Sequence, residues 1–146
     1  MPYINLKDGR KAMIQDKIVA HYQDGRLIKG LTSNFVPNKD FFHLTPIDSS
    51  PESKLTELRT ADLKGLFFVK DFDGNPDYNE KKEFDSHKLS VGRKIRVLFK
   101  DGELMVGTTE GYMKDSPGFF VVPADVNSNN ACCFVHKSAT QQVSLI

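Results

Sequence analysis

Two stretches of the chain alternate apolar and polar residues around the same turn. Lys17–Gly30 reads KIVAHYQDGRLIKG, and Lys94–Gly107 reads KIRVLFKDGELMVG. Each is a pair of alternating runs about Asp-Gly, the pattern of a β-hairpin. A two-residue type I′ turn at Asp-Gly predicts a register. Tyr22 then faces Leu27, Ala20 faces Lys29 and Ile18 faces Leu31. In the second hairpin Phe99 faces Leu104, Val97 faces Val106 and Ile95 faces Thr108. That side is almost wholly apolar in both, so it is the expected core face.

The hairpins belong to a longer repeat. Shifted by 77 positions, residues 17–48 align without a gap on 94–125, with ten of 32 identical. Asp24/Asp101, Gly25/Gly102, Gly30/Gly107, Thr32/Thr109 and Pro46/Pro123 are among them. The offset continues by character: Leu55 meets Cys132, Leu58 meets Val135, Leu66 meets Val143, Phe68 meets Leu145 and Val69 meets Ile146. Residues 17–69 and 94–146 are therefore two copies of one unit. After each hairpin the pattern predicts three further strands. They lie at Phe41–Leu44, Lys54–Leu58 and Leu66–Val69 in the first copy, and at Gly118–Val122, Ala131–Val135 and Val143–Ile146 in the second. Gly30 and Gly107 mark a bend in the second strand. The expected fold is all-β: two tandem small five-stranded barrels from an internal duplication. A unit this short buries too little alone, so the two should pack together.

Residues 1–16 form an N-terminal extension. It holds a further Asp8-Gly9, but a short helix over Lys11–Asp16 is the favoured reading. Residues 70–93 are a connector, expected to be ordered and pinned by Phe72, Tyr78, Phe84 and Leu89.

Composition adds little that is specific. The net charge is +1, which does not demand a polyanionic partner. No apolar run is long enough for a signal peptide or a membrane span. The only cysteines, Cys132 and Cys133, are adjacent and point to opposite faces of a strand. They read as free thiols in a reducing cytoplasm. Asp71, Asp73, Asn75 and Asp77 alternate like a calcium loop, but Pro76 and Lys82 stand where Gly and Glu are needed, so a polar turn is the simpler reading. The four histidines have no metal-binding spacing, and no nucleophile elbow or phosphate loop is present. The expectation is a non-enzyme with no cofactor, no metal and no catalytic residue.

Two candidate binding sets remain. Opposite the expected core face, the hairpins show Val19, His21 and Ile28, and Leu98 and Met105. They are too apolar for free solvation, which points to packing between the units or to a surface for a protein partner or a second copy. The alternative is a nucleic-acid or nucleotide site, with Phe35 and Tyr112 stacking and Lys39 and Lys114 meeting phosphates; the two aromatics equally suit the simpler reading that they cap the open end of each barrel. Asp125–Asn130, DVNSNN, reads as a polar loop of Asx turns.

FFVKDFDGN (Phe67–Asn75) and GFFVVPAD…SNN (Gly118–Asn130), with the two Asp-Gly hairpins, resemble an uncharacterised bacterial domain family. The resemblance covers residues 17–146. It implies a bacterial source and a regulatory or scaffold setting, and brings no catalytic residue. Each copy also resembles the Sm-like barrel. The RNA-binding members carry an Asp-hydrophobic-Asn signature, and neither Lys39–His43 nor Ser116–Phe120 supplies that Asn. Their second motif is loosely met by Lys64-Gly65, while Gln141-Gln142 stands there in the second copy. The usual RNA pocket is thus not carried over residue by residue.

Overall fold

In a computed structural model of the chain, the described residues are 3–5, 11–13, 16–32, 34–37, 39–47, 55–74, 76–84, 92–110, 112 and 115–146. Near the N-terminus β1 (Tyr3–Asn5) and β2 (Lys11–Met13) form a separate antiparallel pair, with Tyr3 opposite Met13. The helix expected over Lys11–Asp16 is not formed. Six residues make too few helical bonds to offset nucleation, and strand pairing takes Lys11–Met13 instead. Asp8 and Gly9 lie outside the described residues.

The other strands form one ten-stranded antiparallel sheet. The first copy supplies β3 (Asp16–Tyr22), β4 (Leu27–Thr32), β5 (Phe41–Pro46), β6 (Thr56–Arg59) and β7 (Leu63–Val69). The second supplies β8 (Arg93–Phe99), β9 (Leu104–Thr109), β10 (Gly118–Pro123), β11 (Asn130–His136) and β12 (Thr140–Leu145). Across the sheet the order is β12-β8-β9-β10-β11-β7-β3-β4-β5-β6. Each copy thus repeats one order, with its last strand beside its first. The hydrogen bonding does not close into the two expected barrels. It runs on through the β11–β7 pair, and among the described residues β12 and β6 end the sheet as open edges.

Several bonds recur at equivalent positions in the two copies. Thr32 Oγ1 donates to His43 O at 2.8 Å, and Thr109 Oγ1 to Phe120 O at 2.6 Å. Ile47 N–H donates to Lys29 O and Ala124 N–H to Val106 O. A 3-10 turn precedes the last strand in each, at Thr60–Asp62 and Lys137–Ala139.

Both hairpin turns differ from the expected type. Tyr22 N–H donates to Arg26 O and Gly25 N–H to Tyr22 O, and Phe99, Glu103 and Gly102 repeat the arrangement. The loops therefore hold three residues, a type I turn followed by a glycine bulge. Only the glycines have positive φ, 96° at Gly25 and 94° at Gly102. Asp24 and Asp101 avoid that region and accept the backbone N–H of Arg26 and Glu103, each at 3.0 Å. The extra residue shifts the register by one: Ala20 pairs with Ile28, and Val97 with Met105. A one-residue slip turns every side chain of β4 and β9 over. Met105, expected outside, is buried, and Leu27, expected inside, is 53% exposed.

Alternate residues of β3, β7 and β11 supply two cores on opposite faces. Ile18, Ala20, Leu66 and Phe134 join Phe42, Leu44 and Leu58 in the first. Val19, Phe67, Cys133 and Val135 join Ile95, Val97, Phe99, Met105, Phe119 and Val121 in the second. Among the described residues there is no α-helix to cover either face. Leu58 and Phe99, far from the centre of the sheet, are nonetheless almost fully buried. The sheet must therefore curl, one end over each face. The corners are at the predicted glycines. β4 pairs with β5 only at Gly30 and Leu31, and β9 with β10 only at Gly107 and Thr108. A Cβ on Gly107 would lie 2.8 Å from Val121 Cγ1 and closer still to a backbone carbonyl, so only glycine lets the strands cross there.

Candidate interaction surface

The joint between the copies is β11 against β7, the fourth strand of one unit on the fifth of the other. Cys132 lies opposite Phe68, Cys133 opposite Phe67, Phe134 opposite Leu66 and Val135 opposite Gly65. Phe134, from the second copy, closes the first core, 5.2 Å from the Phe35 ring and 5.1 Å from Phe120. Edge-on aromatic contacts of this kind add to the area buried.

One ion cluster spans the same joint. Lys64, on β7, reaches Asp101 Oδ2 at 2.7 Å and Glu103 Oε1 on the second hairpin. Its ammonium lies 4.6 Å from the centroid of Phe99. Burial alone would lower the Lys64 pKa, but the hydrogen bonds it donates to Asp101 and Glu103 outweigh it and hold it above its usual value. The Lys64 hydrogen bond lowers Asp101 in turn. Lys64→Ala should therefore destabilise the protein, whereas Lys64→Met, which keeps the stem over Phe99, should lose less. Both carboxylates are about half exposed, so the loss for Ala is only about 1–2 kcal/mol, below that of a fully buried pair. Chemical denaturation of both variants checks the ranking.

The two motifs behind the family resemblance meet beside this joint. Asp71 N–H donates to Asn129 Oδ1 at 3.0 Å, and Asn129 Nδ2 returns a bond to Asp71 O at 2.7 Å. Asp71 also accepts the Asp73 N–H, so the run read as a polar turn begins as one. Asp125 accepts the Tyr78 hydroxyl, the Lys81 N–H at 2.8 Å and the Asn127 N–H at 2.9 Å. Of the expected connector anchors, Tyr78 is thus bonded to the second copy. Phe72 is half-buried and its carbonyl accepts Lys29 Nζ at 2.9 Å. Phe84 lies under Lys94, 4.9 Å away, and Leu89 is outside the described residues.

The Lys81 N–H bond first, and then the Tyr78 hydroxyl, depress Asp125 from the ordinary carboxylate range to about 2. A depressed pKa contributes stability that is complete above the unfolded value, near 3.8, and is lost as pH falls through the folded one. Burial also lowers His21 and His136. The unfolded chain takes up those protons more readily, so stability begins to fall below about pH 6.5. The melting temperature should decline in two stages on acidification, and Asp125→Asn should flatten the stage between about pH 4 and 2.

The first candidate set does not gather on one outer face. Val19 and Met105 are buried in the second core. His21 packs edge-on against Phe67 at 4.5 Å. Ile28 packs against the first core, and Leu98 is half-buried on β8. Val19 and His21 lie where contact between the copies puts them; Met105 is internal through the hairpin register.

The second set is not brought together either. Phe35 belongs to the first core, among Phe42, Phe68, Phe120 and Phe134. Tyr112 lies on the second, edge-on to Phe119 at 5.0 Å with the Lys137 ammonium 4.8 Å from its centroid. Lys39 is exposed beside a small cavity lined by Pro37, Thr60, Pro117 and His136. Lys114 lies outside the described residues. Cys132 and Cys133 are free thiols, and burial raises the pKa of both.

Sequence reasoning missed Lys64, Asp101 and Glu103, whose contact needs the third dimension. It also missed the edges of the sheet, where Leu55, Leu145 and Ile146 are exposed by 64%, 37% and 55%. Their signal was present in the 77-residue offset, which equates them with Cys132, Phe68 and Val69 at the internal joint.

The molecule is thus an all-β protein in which two repeated units share one open sheet. The chain belongs to a family of unknown function, DUF6982, whose model matches residues 14–146. No curated protein and no solved structure matches it.

Proposed function

We propose that the chain is a non-enzymatic protein-binding or scaffold module, working in the cytoplasm of a bacterium in a regulatory setting, and that it takes up partners by strand addition. One observation carries the reading. β7 and β11 are the fifth and fourth strands of their units and pair with each other, while their equivalents β12 and β6 end the sheet with no second partner strand among the described residues. Open edges present rows of unpaired N–H and C=O groups that a partner strand can satisfy. The order of strands within each copy supports an Sm-like form for the unit, and the free thiols support a reducing compartment.

The nucleotide reading has less support, because Phe35 and Tyr112 are held in separate cores and their rings already contact other side chains. Salt distinguishes the two, since nucleic-acid binding falls steeply as salt rises. The direct test is a benzoylphenylalanine cross-linker placed at Leu145 or Leu55 in the cells that make the protein, with exposed Val126 as control. Protein adducts at the edge positions and not at Val126 are expected; their absence at both edges would contradict strand addition.

A further inference from the structure

Resting on that reading, we infer that the partner strand comes from a second copy of this chain, whose β6 pairs with β12 in the register of the internal joint. The internal joint is the template. Subtracting 77 from each β11 residue gives its β6 equivalent, and adding 77 to each β7 residue gives its β12 equivalent. Cys132–Phe68 becomes Leu55–Leu145, Cys133–Phe67 becomes Thr56–Ser144, Phe134–Leu66 becomes Glu57–Val143, and Val135–Gly65 becomes Leu58–Gln142. Leu55 and Leu145, both exposed in the single chain, thereby cover each other.

The donors point the right way. Ile146 N–H bonds Lys94 O on β8. Alternation along an antiparallel strand then turns the Val143 and Leu145 N–H groups outward. Their equivalents on β7 are Leu66 and Phe68, which lie along β11.

The charges change together. Inside the chain, Asp101 and Glu103 are met by Lys64. At the outer joint Gln141 stands for Lys64, and Asp24 and Arg26 stand for the two carboxylates. Asp24 and Arg26 already pair with each other at 2.8 Å, so no cation is required at the Lys64 position, where Gln141 is neutral. Glu57 stands for Phe134 and would meet Tyr112, the equivalent of Phe35. The Lys137 ammonium beside that ring supplies the opposite charge, where the first copy has Thr60. This joint is more polar than the internal one. It therefore forms a weaker contact than the internal joint, with less apolar surface to bury.

Such a joint is head-to-tail. Each added chain keeps one edge of each kind, so the assembly closes as a ring or continues as a filament.

The test is the full-length chain with Thr56→Cys and Ser144→Cys, oxidised and run without reductant. The two positions should form a non-hydrogen-bonded pair, with Cα atoms about 4.5 Å apart, within reach of a disulfide. A ladder at multiples of 16.5 kDa is expected from the double variant and from a mixture of the two single variants. The off-register pair Leu55→Cys with Ser144→Cys should give far less. A monomer with both new thiols consumed would overturn the proposal, because the sheet would then close on itself. An uncross-linked monomer would overturn it too. Sedimentation of the unmodified chain keeps the proposal testable if the variant fails to fold. Association should rise with concentration, and Leu145→Pro, which removes an outward donor, should weaken it by about tenfold. A chain that stays monomeric at all concentrations while Leu145 still cross-links a different protein in cells would end the self-pairing and leave strand addition standing.

Discussion

Gly107→Val is expected to be among the most damaging single substitutions in the chain. β9 and β10 cross at this glycine, and a side chain there would drive into Val121 and the backbone beside it. Overpacking usually costs about 1–3 kcal/mol when side chains can yield. Here part of the obstacle is backbone, so the loss should exceed about 3 kcal/mol, a large share of the stability of a typical domain. Gly102→Ala makes the informative comparison. A Cβ at Gly102 meets nothing within 4 Å, and the only cost is holding a φ of 94°, about 1–2 kcal/mol. Urea denaturation of the two variants separates crowding from backbone strain. A smaller loss at Gly107 than at Gly102 would mean that the strands do not cross there.

Phe134→Ala should cost about 3–5 kcal/mol, the usual range for emptying a large aromatic site. The ring is 3% exposed and belongs to the second copy, yet it packs into the core of the first. Its loss should therefore weaken the coupling of the units as well as the total stability. A single calorimetric transition in the unmodified chain should broaden or split in the variant. A loss below about 1 kcal/mol, with one sharp transition kept, would contradict the placement of Phe134 between the units.

Much of this architecture was legible in the chain itself. The 77-residue offset gives two copies, each contributes five strands near the expected places, and Gly30 and Gly107 lie at the corners. The misreadings have specific causes. Asp-Gly suits a type I′ turn, but Asp24 and Asp101 instead accept a backbone N–H two residues on, and the resulting three-residue loop turns β4 and β9 over. That one residue moved Met105 from the expected surface into the core. Lys11–Met13 reads as helix or strand with equal ease because three residues carry almost no periodicity. Closure was assumed from the size of the unit. Which edge a unit offers to its neighbour depends on pairing between strands distant in sequence, such as β11 and β7, and no local pattern records it. For the candidate sites, the apolar character of the first set was visible, and packing between the units was one of its two expected readings; Val19 lies in the core of the second copy. The exposed Leu55 and Leu145 drew no attention because neighbouring strands decide their exposure.

The most direct measurement is amide hydrogen exchange along β6, β7, β11 and β12 as protein concentration is raised. In dilute monomer the outward amides of β12, at Val143 and Leu145, should exchange quickly, while those of Leu66 and Phe68 on β7 stay protected. As chains associate, the β12 amides should become protected as well. If Val143 and Leu145 are already as slow in the dilute monomer as Leu66 and Phe68, the edge is covered and the sheet does not end where strand addition requires.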